Sequence, residues 1–560
     1  MRFPPRPRPR FKETFPVRSR PELHPHAPAL PLFRHVPRGR CRNRVLGGRP
    51  VVAPRSRHAC RHACAGPGET LRPAPATANP LFARLLALLA APDARPREAT
   101  LTFRDEAAYR RFLARAASAG LTVIGRLDAL KTVRVGFTTI AAVQQDLVDH
   151  ASDYADAAAN NVLRIPAIPA KADRADVTQV PLRNTTLAFL GANGDRTAWG
   201  RGVTIAILDS GINALDPTFS GRVRTIDVGA GSLPGTGDSS GHGTGVAALA
   251  AGISADAPGV APAANLLGIR VTDNDGLGDI FTVAQGIVAA VDAGARVINI
   301  SLGGYATGNV LSAAIAYAAD RGAVIVAAAG NDQLARLAWP AADVRVVSVG
   351  AVDAAGQQVS FSNSGAQLAI SAPGYGVQTA WLDQRRVYVD GTSASSPLVA
   401  GAIAAVMSAN PALTTRQAWD VIAASTSDAG APGPDADYGR GILNLGWAMS
   451  RNDPARVDPA VSAHHYDAAN SRMDFIVQNR GAQSLSGLTL DVDTNGVTTT
   501  YRVPALAAGA SGVITASVDQ KTLSATGSIK YITTLNAPIG IVDQDPSNNI
   551  RISRLTPPKK

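Results

Sequence analysis

Three textures of apolar and polar positions succeed one another along the chain. Between residues 99 and 165, apolar strand-like segments at 99–103, 121–124, 132–137 and 162–165 are interrupted by helical periodicity at 107–119, closed by Gly120, and again at 140–150. The order strand, helix, strand, strand, helix, strand predicts a small α+β domain over 99–165. Ahead of it, an apolar run at 81–91 broken by Arg84 predicts a short amphipathic helix, so that 81–98 reads as helix and linker. From 185 to 450, strands apolar throughout, at 203–208, 266–271, 297–300, 324–328 and 344–349, alternate with helical stretches at 281–293 and 311–321. Strands without a polar face, each followed by a helix, predict an α/β fold with a mostly parallel, doubly wound sheet covered on both sides. A Pro- and Ala-rich connector, 166–184, separates the two domains. Beyond 454 the pattern changes to short alternating segments at 473–477, 488–492, 499–503, 512–518 and 529–533, which predict an antiparallel β-sandwich over 455–556.

Charge and composition alter this picture at one end only. The chain of 560 residues carries a net +12, but residues 1–80 hold 17 Lys and Arg against three Glu, a net of +14 that leaves −2 for everything after them. The folded part offers no basic face, so nucleic acid is not an expected partner. The same stretch has 16 of the 38 prolines and no apolar period, which predicts a disordered Arg/Pro-rich leader. All three cysteines, Cys41, Cys60 and Cys64, lie there, so disulfides are not expected to hold the domains together. His58, Cys60, His62 and Cys64 alternate, but at no common zinc spacing, and no metal site is expected from them. No run of 18 consecutive apolar residues occurs, and no transmembrane anchor is expected.

The central region carries the chemistry. Ala206-Ile207-Leu208-Asp209-Ser210-Gly211 puts a carboxylate at the end of a predicted strand. Ser240-Gly241-His242-Gly243-Thr244 and Gly391-Thr392-Ser393-Ala394-Ser395-Ser396-Pro397 put an imidazole and a hydroxyl at the start of predicted helices. Sites in open α/β sheets form at the carboxyl ends of strands, so these residues can converge. A serine hydroxyl becomes a competent nucleophile when a base takes its proton, and the base needs a carboxylate to fix its tautomer. His242 is the single histidine between 185 and 450, so no other residue of that region can be the base. The amide of Ser393, in the first turn of an apolar helix, can meet a developing oxyanion, and the carboxamide of Asn331 in Ala327-Ala328-Ala329-Gly330-Asn331 can supply a second donor. Ser301-Leu302-Gly303-Gly304 follows another strand and can pair with an extended peptide, with Gly276 and Gly278 as the opposite wall. Each motif also has an ordinary reading taken singly: a buried histidine at a helix start, an N-cap serine, a turn asparagine.

Taken together and in this order, these motifs resemble those of the subtilisin-like serine peptidases, the subtilases, over residues 185–450. The resemblance implies Asp209 as orienting acid, His242 as general base and then acid, Ser393 as nucleophile and Asn331 as oxyanion donor. Ser301, Leu302, Gly303 and Gly304, with Gly276 and Gly278, would line the substrate cleft. It implies an endopeptidase acting on polypeptides with no cofactor required, secreted or held in the cell envelope, and monomeric. Residues 99–165 are similar in element order to the inhibitory propeptides of the family, which implies intramolecular inhibition and self-cleavage within 165–184. Residues 455–556 resemble immunoglobulin-like adhesion modules. The segment after His242 is shorter than in members with the tight calcium loop, so structural calcium is not supported. A catalytically inactive relic acting as a binding or adhesion protein is the rival reading. The Glu–Asp sedolisins, which the Gly-Thr-Ser-Ala-Ser stretch also resembles, are a second, disfavoured by Gly-His-Gly-Thr.

Overall fold

The computed structural model describes residues 79–166 and 179–557, apart from 232, 238 and 307. The leader, up to residue 78, its cysteines and histidines, and connector residues 167–178 lie outside the described residues.

Helix α1 (Pro80–Leu89), strand β1 (Ala94–Phe103), α2 (Glu106–Arg115), β2 (Leu121–Leu127), β3 (Thr132–Phe137), α3 (Ile140–Asp149) and β4 (Tyr154–Arg164) form the first layer pair. The strands make an antiparallel sheet ordered β4-β1-β3-β2. Alternate residues of β1, Ala99, Leu101 and Phe103, face Leu85 of α1, Phe112 of α2 and Leu147 of α3 in one apolar cluster. The unit thus begins at Pro80 rather than at residue 99. The strand starts five residues earlier than its apolar alternation because Arg95 and Glu98 spend their charges on partners remote in sequence, Asp279 (3.2 Å) and Arg134 (2.8 Å), which local pattern cannot reveal.

After the short helix α4 (Thr186–Phe189), the chain builds β5 (Thr204–Asp209), β6 (Val223–Asp227), α5 (His242–Ala251), β7 (Ile253–Ser254), β8 (Ala257–Pro258), β9 (Asn265–Arg270), β10 (Leu277–Asp279), α6 (Ile280–Asp292), β11 (Val297–Ile300), α7 (Asn309–Asp320), β12 (Val324–Ala328), β13 (Val347–Val352) and β14 (Ile370–Pro373). The hairpin β15 (Val377–Ala380) and β16 (Arg386–Val389) leads to α8 (Thr392–Ala409), α9 (Thr415–Ala423), β17 (Thr426–Ser427), β18 (Ile442–Leu443) and α10 (Leu445–Ser450). Nine strands lie in the order β17-β18-β14-β13-β12-β11-β5-β9-β6, parallel except at the β17 edge. Alternate residues of β5 go to opposite layers: Ile205 and Ile207 join the cluster around α5 and α8, Ala206 and Leu208 the cluster around α6 and α7. The fifth predicted strand starts later than its apolar run: β13 begins at Val347, and Val344 is 83% exposed in the preceding turn. Helix α8, with mean hydropathy 1.3, is long and apolar enough to cross a membrane although serine and threonine interrupt its apolar run, but 89% of it is buried inside the protein.

The C-terminal part has two antiparallel sheets, β19 (Pro459–Asp467), β20 (Arg472–Asn479) and β23 (Ser511–Ser517) in one, and β21 (Thr489–Thr494), β22 (Val497–Arg502), β24 (Ile529–Asn536) and β25 (Ile550–Leu555) in the other, with helix α11 (Gln520–Thr526) between β23 and β24. Phe475 and Ile514 from the first sheet meet Leu490 and Tyr531 from the second in a common core. His464 on β19 is held between Ser553 Oγ (2.7 Å) and Thr533 Oγ1 (2.8 Å), edge-on to Phe475. Burial, with a smaller push from the positive charge of Arg551, lowers its pKa to about 3. A histidine titrating near 3 when folded and near 6.5 when unfolded stabilises the fold above pH 6.5 and loses that stability as pH falls toward 3. Relative to a His464→Asn variant, the protein should therefore lose about 3 kcal/mol of unfolding free energy between pH 8 and 4.5. Urea unfolding at the two pH values checks this, and a difference that stays constant with pH refutes it.

Candidate active site

Strand β5 ends on Asp209, fully buried, and α5 begins on His242, whose side chain is 15% exposed. Asp209 Oδ1 accepts hydrogen bonds from the Ser210 amide (2.7 Å) and from His242 Nδ1 (2.8 Å). A carboxylate on Nδ1–H leaves Nε2 as the basic nitrogen. Two small residues make the approach possible. A Cβ on Gly243 would stand 2.3 Å from the Gly211 carbonyl oxygen, and one on Gly241 would stand 2.2 Å from the Trp381 indole, so both side chains are excluded by backbone and ring. Ser210 ties strand to helix, its Oγ accepting from the Gly243 amide (3.0 Å) and donating to the Ser240 carbonyl (3.2 Å).

Ser393 stands in the first turn of α8, reached through Gly391 at φ 139°, a backbone conformation that side-chain-bearing residues rarely adopt. Its Oγ donates to the Ser301 carbonyl at 3.1 Å, and no hydrogen bond joins it to His242 in this state. Both nevertheless line one cavity of about 50 Å³, together with Asn331, Trp381 and Pro166. Asn331 is oriented by the start of the same helix: its Oδ1 accepts from Thr392 N (2.9 Å) and Thr392 Oγ1 (2.8 Å). With the oxygen so engaged, Nδ2 is turned toward Gly391, where an added Cβ would come within 2.9 Å of it. The backbone of α8 has one gap. Pro397 has no N–H to give the carbonyl four residues back, that of Ser393, and Ser301 Oγ donates to it instead (3.1 Å). Ser301 is completely buried in that role, also meeting Asn299 Nδ2 and Ser396 Oγ at 2.9 Å. Of the predicted cleft residue, only the carbonyl faces the serine hydroxyl.

Gly303 and Gly276 bracket an extended segment. Gly303 exchanges both backbone hydrogen bonds with Arg164 (2.9 and 3.0 Å), and the Ile165 amide donates to the Gly276 carbonyl (2.9 Å). Leu277, Gly278 and Asp279 pair antiparallel with Arg164, Leu163 and Val162, so β10 becomes the fifth strand of the N-terminal sheet. Leu163, fully buried, comes within 3.0 Å of where a Gly304 Cβ would stand. Leu302, Gly303, Gly330, Asn331 and Ala338 line a further cavity of about 500 Å³ adjoining Pro166. Trp381 is the site residue the sequence did not point to. Its position follows from the β15–β16 hairpin folding back over α5, and the requirement for glycine at 241 was its only local trace.

Comparison with known proteins agrees with this geometry. The family model described as the Subtilase family, peptidase S8, matches residues 200–441. The chain is 37% identical over 257 residues to the thermostable alkaline protease of Halalkalibacterium halodurans, covering 45% of this chain and 69% of that one. It is 36% identical to subtilisin BL of Lederbergia lenta, over 45% of this chain and 91% of the relative. Among solved structures, the epidermin leader peptide processing serine protease of Staphylococcus aureus shares the fold, with a TM-score of 0.53, 21% identity, and coverage of 64% of this chain and 98% of that one. The protein is a serine endopeptidase. It belongs to the subtilase family.

Proposed function

We propose that the protein hydrolyses peptide bonds through an acyl-enzyme on Ser393, with His242 as the base and Asp209 as the acid that orients it. The observation that carries this is the 2.8 Å contact from His242 Nδ1 to a fully buried Asp209, with His242 and Ser393 lining one small cavity. A turn of Ser393 about its Cα–Cβ bond moves Oγ from the Ser301 carbonyl toward Nε2. Proton transfer to His242 then accompanies attack on the substrate carbonyl. Asn331 Nδ2 and the Ser393 amide receive the oxyanion, His242 returns the proton to the leaving amine, and water repeats the cycle on the ester. Every group in this cycle belongs to the chain itself, and no cofactor enters a step.

The N-terminal domain acts as the intramolecular inhibitor, and its last strand occupies the cleft as a substrate would. The pairing of Arg164 with Gly303 and of Ile165 with Gly276 brings Pro166 to the cavity that holds Ser393, so the bond offered for self-cleavage is Pro166–Ala167. The C-terminal sheets serve as an immunoglobulin-like adhesion module, and the mature enzyme is a secreted or cell-envelope monomer acting on polypeptides. A fluorophosphonate probe should label Ser393 alone, and amino-terminal sequencing of the processed enzyme should begin at Ala167. Failure of the probe to react with correctly folded protein would favour the inactive relic. A processed terminus at any residue other than Ala167 would overturn the cleft register.

A further inference from the structure

Between the α/β domain and the C-terminal sheets lies a cavity of about 870 Å³ that the peptidase reaction does not use. Trp199 and Trp447 stand on its α/β side, and Arg456, Ser462, Arg480 and Arg551 on the other. Three guanidinium groups therefore line one half-open cavity, and among the described residues only one of them is paired with a carboxylate. Arg456 donates to the Asp458 carboxylate and to Ser450 Oγ (2.7 Å). Arg480 is 7% exposed, yet it makes no ion pair among the described residues. Its Nε and Nη2 share the neutral Gln478 Oε1 at 3.4 and 3.2 Å, and Nη2 reaches Ser462 Oγ at 3.4 Å. Arg551 likewise has no ion pair among the described residues, and its Nη1 donates to the Ser462 carbonyl at 2.7 Å. Both unpaired arginines thus converge on the one serine.

The acids at the rim do not relieve this. Asp458 is committed to Arg456 and to Asn548 Nδ2 (2.8 Å), and Asp545, exposed, accepts from Ser547 Oγ. Burial lowers the pKa of Arg480 to about 10; Arg551 and Arg456 push the same way, while Asp458 and Asp545 oppose them. The group is still charged at neutral pH. A buried cation held only by long bonds to neutral oxygens is costly to keep, and a guanidinium fork matches two oxygens of one anionic group.

We propose that this cavity binds a small oxyanion, a carboxylate or phosphate group, held by Arg480 and Arg551. Because residues of both domains line the space, the bound anion stabilises their docking as well as each arginine.

The test uses the full chain with its active serine blocked by phenylmethylsulfonyl fluoride. Thermal unfolding is followed at pH 7 in phosphate, in acetate and in chloride at matched ionic strength, which removes simple screening. A rise in Tm of a few degrees, saturating at low millimolar phosphate or acetate and absent with chloride, is expected; which of the two saturates first identifies the headgroup chemistry. Arg551→Gln should abolish the saturable rise and Arg480→Gln should weaken it. If Arg480→Gln does not fold, the Arg551 variant decides alone. A Tm that follows ionic strength equally for all three anions, or a saturable rise of full size in Arg551→Gln, overturns the proposal.

Discussion

Ser393→Ala should lower peptide hydrolysis by a factor on the order of 10⁶, a magnitude measured on a related subtilisin when its nucleophile is removed. The same variant should accumulate as an uncut precursor. Stability should be nearly unchanged, because among the described residues the hydroxyl makes one hydrogen bond, to the Ser301 carbonyl. That carbonyl is the group left without a partner, and its loss amounts to about 1 kcal/mol. Helix α8 keeps its other anchors, Thr392 on Asn331 and Ser301 Oγ on the Ser393 carbonyl, neither of which involves the hydroxyl. Circular dichroism and an unfolding curve separate loss of chemistry from loss of fold. Substantial turnover by a folded Ser393→Ala protein would show that another group attacks the substrate.

The parts of this site that could be read from the sequence are those fixed locally. Asp209 follows an uninterrupted apolar strand, and the glycines at 241 and 243 announce a crowded backbone around an imidazole. Ser393 sits where a glycine at positive φ turns the chain into a helix. In each case one short segment carries both the residue and the reason for its position. What was not legible depends on partners far away in the chain. The early start of β1 rests on Arg95 meeting Asp279, and Trp381 reaches Gly241 only because a hairpin more than a hundred residues downstream packs on α5. Strands β19 and β25 were missed for a related reason. The first opens with Pro459 and holds paired histidines, one of them half-buried against Ser553 and Thr533; the second alternates isoleucine with arginine and serine at the edge of its sheet. The buried face of Ser301 is a further case, since only the missing N–H of Pro397 explains why a hydroxyl must lie against the Ser393 carbonyl.

Asn331 offers a sharper test of catalysis against scaffolding than the proposed triad does, because in the proposed mechanism its two ends do different things. The oxygen caps the start of α8 through Thr392 N and Oγ1, and the nitrogen is the donor assigned to the oxyanion. Asn331→Asp keeps the acceptor, and with it the helix start, but removes the donor and sets a negative charge beside the developing one. Turnover should fall by at least about 10²–10³, the cost seen on removing this kind of donor in a related subtilisin, with KM little changed since the ground-state carbonyl gains less than the transition state. Asn331→Ala loses both ends and should show a similar fall in kcat together with a measurable loss of stability, about 1–3 kcal/mol for two orphaned donors at a helix start. If the asparagine served only to hold α8, the aspartate variant would remain active while the alanine variant failed. That pattern would remove Asn331 from the reaction and leave the Ser393 amide as the sole oxyanion donor.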